Sequence, residues 1–151
     1  MALGATMYVF TIRLADADRA VYETLELRVA RHPSESPEYL VTRVLAYCLE
    51  YGEGLEFSKG GLSDPDHPAL AVRDLTGALQ AWIEVGTPEA ARLHKASKAT
   101  PRVAVYVHRD ADAFVARLGG ERIHRADALA IRVIDPALLA ALVSRLDRRL
   151  D

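Results

Sequence analysis

Apolar residues fall at every second position in two early segments, which is the pattern of half-buried β-strands. The first segment covers residues 6–14, and the alternation resumes over 21–29 after a polar turn at 15–19. One face of the second segment is apolar except for Glu23, and it carries Val21, Leu25, Leu27 and Val29. The two segments are therefore predicted to form a hairpin.

A helix start follows at residues 34–38, whose letters SESPE supply a serine cap, a proline and acids for the first turn. Apolar residues at helical spacing continue to about Tyr51, and Gly52 and Gly54 end the helix. Residues 59–68 are rich in Gly, Pro and Asp, so they are predicted to form a loop.

Short apolar segments and helix starts then alternate along the chain. Strands are predicted over 55–58, 69–73, 79–85, 102–107 and 129–134. Helices are predicted over about 87–99, 110–118 and 135–147. This order indicates an α/β fold, with a mixed β-sheet flanked by helices in a single compact domain over residues 1–151.

The composition excludes several classes of protein but does not indicate a particular reaction or ligand. Half of the 151 residues are apolar, and the one cysteine, Cys48, cannot form an intramolecular disulfide. No segment reaches the length of a membrane span, and the first residues lack the regions of a signal peptide, so a cytoplasmic location is expected. The net charge of −2 gives no support to a large nucleic-acid footprint.

Carboxylates near a predicted strand end are the first candidate chemistry. Glu84 ends the apolar strand 79–85, next to Gly86 and a helix start, where sites of α/β proteins tend to lie. Asp74 follows the preceding strand, and Asp66 lies in the loop before it. Converging carboxylates would suit Mg²⁺ or Mn²⁺. The commoner meaning of such residues is structural, and Asp74 before Leu75-Thr76-Gly77 makes a good turn former.

Lysine usage adds a second candidate. The chain has 16 arginines and three lysines, and two of those lysines, Lys95 and Lys98, lie three residues apart on the helix after Glu84. Arg92 lies a further three residues back, so these residues form one basic stripe. A solvated helix face is the commoner meaning of this spacing.

Four motifs lie in separate parts of the chain: ARHPSE (30–35), LEFSKG (55–60), WIEVGTP (82–88) and HKA (94–96). In this order and spacing they resemble the bacterial YaeQ family. That family is similar in fold to the PD-(D/E)XK, or restriction-endonuclease-like, nucleases. The resemblance therefore implies a compact, modified nuclease core, and it implies a fold more firmly than a function.

Carried over to this chain, the resemblance places Glu84 as the acid of the (D/E)XK element. The usual lysine two residues later is replaced by Gly86, which leaves Lys95 as the candidate for a migrated lysine and Lys98 as a weaker one. The backbone carbonyl of Val85 would assist Glu84 in holding the metal. Together these residues would activate water and stabilise the charge on a phosphodiester.

The first acid and a further acid are left open at this stage. A turn at Thr76-Gly77 sets Glu84 opposite position 69, from which Asp74 and Asp66 are offset by five and three residues. A β-bulge would be needed for either, and Asp74 is narrowly preferred. Glu50 is a further candidate, because acids on the corresponding helix of the superfamily sometimes join the site. Its alternative is an exposed helix face shared with Arg43.

Two functions follow from these residues. The first is a divalent-metal-dependent phosphodiesterase or nuclease that acts on nucleic acid or a nucleotide through Asp74, Glu84 and Lys95. The second is a catalytically inactive protein of nuclease fold with a binding or regulatory role, for which a protein partner is a candidate. Pairing of Glu84 with an arginine or lysine, away from solvent, would favour the second.

Overall fold

The structure, a computed structural model, describes residues 4–58, 67–147 and 149–150. Eight strands occur within these residues: β1 (Thr6–Asp16), β2 (Val21–Arg31), β3 (Leu55–Phe57), β4 (Leu70–Arg73), β5 (Leu79–Val85), β6 (Val103–Val107), β7 (Ala130–Val133) and β8 (Arg149–Leu150). Four α-helices occur in the same ranges: α1 (Pro37–Leu49), α2 (Ala90–Ala99), α3 (Ala111–Gly119) and α4 (Pro136–Ser144). A 3₁₀ turn over Ala126–Ala128 precedes β7.

The strands form two sheets. Strands β3, β4, β5, β6 and β7 lie side by side in that order, antiparallel from β3 to β5 and parallel from β5 to β7. Strand β1 lies between β2 and β8 in the second sheet, antiparallel to β2 and parallel to β8. Because β5, β6 and β7 run parallel, their carboxyl ends meet at one edge of the sheet.

Helix α1 separates the two sheets and packs against both. Val41 and Ala46 belong to the core against the five-stranded sheet, whereas Leu40 and Val44 join the core beneath the hairpin β1–β2. Helix α4 contributes Leu139 on the same side of the five-stranded sheet as α1. Helices α2 and α3 cover the opposite face, where their apolar side chains surround Trp82, Val105 and Val107.

Local chemistry explains the helix starts. The hydroxyl of Ser36 accepts a hydrogen bond from the backbone N–H of Tyr39 at 3.1 Å, and Pro37 occupies the first turn of α1. The carboxylate of Asp135 caps α4 in the same way, accepting from the N–H of Ala137 at 2.8 Å. These caps fix where α1 and α4 begin.

The prediction of a mixed α/β arrangement with flanking helices is confirmed, with one correction. The hairpin β1–β2 does not join the main sheet but forms a second one, because α1 buries the apolar face that Leu25, Leu27 and Val29 share. The predicted strand 79–85 coincides with β5, and Ile83 pairs with Leu70 as a turn at Thr76-Gly77 requires. No helix in the described ranges is long and apolar enough to cross a membrane.

Candidate functional site

A cavity of about 600 Å³ opens at the carboxyl ends of β5 and β6. Val85 and Gly86 line it at the end of β5, and His108 lines it at the end of β6. The amino-terminal ends of α1 and α2 also border it, through Ser36 and Pro88. Ligands of α/β sheets bind at this edge, and the volume suits a small molecule.

Glu84 lies in the wall of this cavity on the side of α2. Side chains alternate along a strand, so Glu84 shares the face of Trp82, which α2 covers. Its Oε1 accepts from the indole Nε1 of Trp82 at 2.6 Å and from Nη2 of Arg92 at 2.9 Å. The carboxylate side chain is only 7% exposed. Its charge is therefore compensated within the protein.

A second buried ion pair lines the cavity on the side of α1. Nη2 of Arg43 donates to Oε2 of Glu35 at 2.6 Å and to the backbone carbonyl of Ala30 at 2.9 Å. The guanidinium also lies 5.8 Å from the ring centroids of Tyr39 and Phe57. Its Nε is buried and has no hydrogen-bond partner among the described residues. This arginine thus keeps donor capacity that the ion pair does not use.

The remaining polar wall adds one more arginine, two histidines and a tyrosine. Arg109, His67, His108 and Tyr39 all line the cavity. Burial lowers the pKa of His108, and Arg109 beside it acts in the same direction, which favours the neutral imidazole. Burial also raises the pKa of Tyr39 to about 12, so its hydroxyl stays protonated at neutral pH. The rings of Tyr39 and His108 meet edge to face, with centroids 6.3 Å apart.

Positively charged side chains outnumber negatively charged ones among the described residues of the cavity wall. Three arginines face two glutamates, which leaves a formal charge of +1 with both histidines neutral and +3 with both protonated. The whole chain carries −2, whereas the described part of this cavity wall carries a net positive charge. The arrangement therefore suits an anion better than a cation.

Asp74, the preferred first acid, does not meet Glu84. It lies in the β4–β5 turn, where its carboxylate accepts hydrogen bonds from three backbone or side-chain groups of Thr76 and Ala78 and from Gln80. These bonds lower the pKa of the Asp74 carboxyl. Arg73 pairs with Leu79, five residues before Glu84, so the two acids lie at opposite ends of β5, roughly 17 Å apart along the strand. The bulge at Val72/Arg73 does not bring them together, and the turn-former alternative describes Asp74 correctly.

The basic stripe on α2 divides between the cavity and the surface. Arg92 lines the cavity, whereas the exposed side chains of Lys95 and Lys98 are not among its described wall residues. Leu93 and Ala96 of the same helix are buried against the sheet, which fixes the rotation of α2. The structure therefore brings Arg92, rather than either lysine, to Glu84.

Glu50 belongs to a separate cluster at the carboxyl end of α1. Its carboxylate accepts from Nη2 of Arg102 at 2.6 Å and from the hydroxyl of Tyr106 at 2.6 Å. The Glu50 side chain is 8% exposed, so the expectation of an exposed face shared with Arg43 is wrong. Arg43 pairs with Glu35 instead. Burial and the bond to Glu50 raise the pKa of Tyr106.

The described residues do not fit a divalent cation at Glu84. Asp66, the alternative first acid, lies outside the described residues, as does Lys59 of the LEFSKG motif. Within 4–58 and 67–147, no three His, Cys, Asp or Glu side chains group as metal ligands. The carboxylate of Glu84 already contacts a guanidinium, whose positive charge opposes a metal ion beside it.

Most of the cavity was not predictable from local spacing. Glu84 and Val85 were identified and do line it, but Glu35, Arg43, Arg109 and the two histidines were not. One signal for Arg92 was present in the sequence. An acid on a buried strand face needs a cation from the helix that covers that face, and Arg92 is a cation of that helix.

These features define a class: a mixed α/β protein with an arginine-rich cavity at the carboxyl ends of its parallel strands. A family comparison matches residues 1–151 to the family described as "YaeQ protein". The chain belongs to the YaeQ family.

Solved structures and curated relatives agree with this assignment. The crystal structure of YaeQ protein from Xanthomonas axonopodis pv. citri is similar with a TM-score of 0.84 and 30% identity, over 97% of this chain and 82% of that one. The structure from Pseudomonas syringae has a TM-score of 0.83 and 35% identity, over 96% and 80%. "Uncharacterized protein YaeQ" of Escherichia coli (strain K12) is 37% identical over 72% of this chain. That alignment spans 59% of the relative's length.

Proposed function

We propose that this protein binds a phosphate-bearing ligand, a nucleotide or the end of a nucleic acid, in the cavity at the carboxyl ends of β5 and β6. The observation that carries the proposal is the excess of arginines over carboxylates among the described residues of the cavity wall. Guanidinium groups match phosphate oxygens in geometry and are weakly hydrated, which makes them common phosphate ligands. Helix amino-terminal ends, two of which border this cavity, favour the same charge.

The ion pair with Glu35 leaves Arg43 with N–H donors that could bind a ligand. A guanidinium has five N–H donors, and Glu35 and the Ala30 carbonyl use only Nη2 of Arg43 in the described structure. Arg109 is exposed and forms no salt bridge with a described carboxylate, so an entering phosphate can reach it. The buried carboxylates hold Arg43 and Arg92 in place and lower the net charge without filling the cavity.

The cavity is too small for duplex recognition. A volume of about 600 Å³ accepts one or two nucleotides, and the chain as a whole is acidic. Tyr39 and His108 supply ring surface next to the arginines, and aromatic rings of this kind stack on unpaired bases. A mononucleotide or a single-stranded end is therefore the favoured ligand.

Intrinsic fluorescence tests the proposal, because Trp82 is the only tryptophan of the chain and its indole donates to Glu84 in the cavity wall. Inorganic phosphate, a nucleoside 5′-monophosphate and a short single-stranded oligonucleotide would be titrated in the presence of EDTA. We expect saturable binding, and Arg109→Gln should raise the Kd at least about tenfold, since a charge-assisted hydrogen bond contributes roughly 1.5–3 kcal/mol.

Arg73→Gln is the matched control, because it removes the same charge at the far end of the β4–β5 hairpin. Its Kd should equal that of the wild type. Absence of binding of all three ligands at millimolar concentration would overturn the proposal, as would equal affinities of Arg109→Gln and the wild type.

Divalent-metal-dependent hydrolysis of a phosphodiester is the second candidate function, which the resemblance to the PD-(D/E)XK fold favours. One observation supports it: Glu84 lies in the cavity wall at the end of β5, followed by Val85. Incubation of an oligonucleotide with Mg²⁺ or Mn²⁺ tests it. Cleavage that is lost both with EDTA and in Glu84→Gln would replace the binding proposal with this one.

A further inference from the structure

Contacts with Glu84, His67 and Trp82, all described residues, hold the positive charge of Arg92 beside Glu84. Nη2 of Arg92 lies 2.9 Å from Oε1 of Glu84 and 2.6 Å from the backbone carbonyl oxygen of His67. The guanidinium carbon lies 5.5 Å from the centre of the Trp82 ring, in the position of a cation–π contact. The Arg92 side chain is 20% exposed and lines the cavity. The chain thus holds a cation of its own at the cavity wall, beside Glu84.

The indole of Trp82 completes the surroundings of the carboxylate. Its Nε1 donates to the same oxygen, Oε1, at 2.6 Å, so this oxygen accepts from two donors of the protein. A metal ion bound to that oxygen would have to displace the guanidinium or lie next to it. Two cations at such a distance repel each other strongly in a site that is mostly shielded from water.

We propose that the Arg92 guanidinium takes the place of a divalent cation beside Glu84, so that this cavity neutralises an anionic ligand without metal. This extends the proposed function, on which it rests for the nature of the ligand. The arginine presents a delocalised positive charge at the cavity wall, and guanidinium groups are common partners of phosphate and carboxylate oxygens. Glu84 then acts as a positioning residue that holds Arg92 in the wall.

Binding of Mn²⁺, with no anionic ligand present, tests whether Arg92 takes the place of a divalent cation. The free ion would be followed by electron paramagnetic resonance in the wild type, Glu84→Gln, Arg92→Gln and the double variant. We expect superimposable binding curves for the wild type and Glu84→Gln. Arg92→Gln removes the opposing charge and keeps a neutral polar side chain that is two bonds shorter, so it should bind Mn²⁺ at least tenfold more tightly than the wild type. The double variant should lose this gain.

Arg109→Gln is the matched control, because it removes an arginine from the same wall without a contact to Glu84. It should leave Mn²⁺ binding as in the wild type, whereas a gain equal to that of Arg92→Gln would show a general effect of cavity charge and overturn the proposal. Circular dichroism would verify that each variant is folded. If Arg92→Gln does not fold, comparison of the wild type with Glu84→Gln still tests the proposal. Mn²⁺ binding in the wild type that depends on Glu84 would contradict the role of Arg92.

The outcome is separable from that of phosphate binding. Mn²⁺ binding through Glu84 in the wild type would refute the role of Arg92 even if the fluorescence titration shows phosphate binding. Conversely, a gain of Mn²⁺ binding in Arg92→Gln that the double variant loses would establish the role of Arg92 even if no nucleotide binds.

Discussion

The buried Glu35–Arg43 ion pair allows a quantitative test of how this cavity is built. The two side chains are 7% and 8% exposed, and Nη2 of Arg43 lies 2.6 Å from Oε2 of Glu35. Glu35→Gln keeps the shape and a hydrogen-bonding oxygen but removes the negative charge. Arg43 stays charged, because arginine does not deprotonate in proteins. Removal of one partner from a buried pair lowers the free energy of unfolding by roughly 3–5 kcal/mol. Because glutamine keeps a hydrogen-bonding oxygen, we expect a loss of about 3 kcal/mol for this variant.

Urea unfolding followed by Trp82 fluorescence and by circular dichroism measures this loss. For a chain of this length, about 3 kcal/mol corresponds to a fall in Tm of about 6–12 °C. The control is Glu56→Gln, in the pair with Arg73 whose side chains are 60% and 40% exposed and whose N–O distance is 3.4 Å. Exposed pairs of this kind contribute little, so its free energy of unfolding should change by less than about 0.5 kcal/mol.

A double variant separates the unpaired charge from lost packing. In Glu35→Gln/Arg43→Met neither residue is charged, and methionine keeps apolar contact with the rings of Tyr39 and Phe57. We expect it to recover at least half of the stability that Glu35→Gln loses, because the unpaired buried charge is gone. A single variant within about 1 kcal/mol of the wild type would show that the pair is hydrated, and the reasoning from burial would be wrong.

Three further predictions concern the cavity and its supports. Burial lowers the pKa of His108, so the unfolded chain binds a proton at this residue more readily than the folded protein does. The stability from this group is therefore present above pH 6.5 and is lost as the pH falls. His108→Gln should flatten the profile of Tm between about pH 7.5 and 5. Gly54→Ala should cost at least about 2 kcal/mol in urea unfolding, because φ is +85° and a Cβ would lie 2.1 Å from the carbonyl oxygen of Arg73, whereas Gly77→Ala, at φ +87° in open space, should cost about 1 kcal/mol. Asp74→Ala should lower Tm through lost turn hydrogen bonds and leave the Kd for phosphate unchanged in the fluorescence titration; a weaker Kd would return this residue to the site.

Local patterns predicted the elements well and their assembly less well. The alternation over 79–85 and the cap at Ser36 each act within a few residues, so the sequence identifies β5 and the start of α1 directly. Which surface covers the apolar face of β2 depends on α1, which has buried residues on both sides. Packing between distant segments determines which element covers this face, and the hydrophobic periodicity of either segment does not predict it.

The site was predictable as a position and not as a set of partners. A strand end followed by Gly86 and a helix start marks the cavity edge, and Glu84 was found in this way. Its partner Arg92 lies eight residues later, across a turn whose path sets the rotation of α2. Their spacing alone grouped Arg92 with Lys95 and Lys98. Residues three apart share a helix face only approximately, so the spacing does not show that Arg92 faces the cavity and the lysines face solvent. The burial of Leu93 and Ala96 then turns the arginine inward.

Stability and binding place opposite demands on Glu35. Its carboxylate compensates a buried arginine, so the protein is expected to unfold more easily without it. The same carboxylate lowers the positive charge of the cavity, so its removal raises the formal charge of the described wall from +1 to +2 with both histidines neutral. A destabilised Glu35→Gln protein should therefore bind phosphate more tightly than the wild type while it is folded. That combination distinguishes a cavity selected for anion binding from a pair of ion pairs that serve the fold alone.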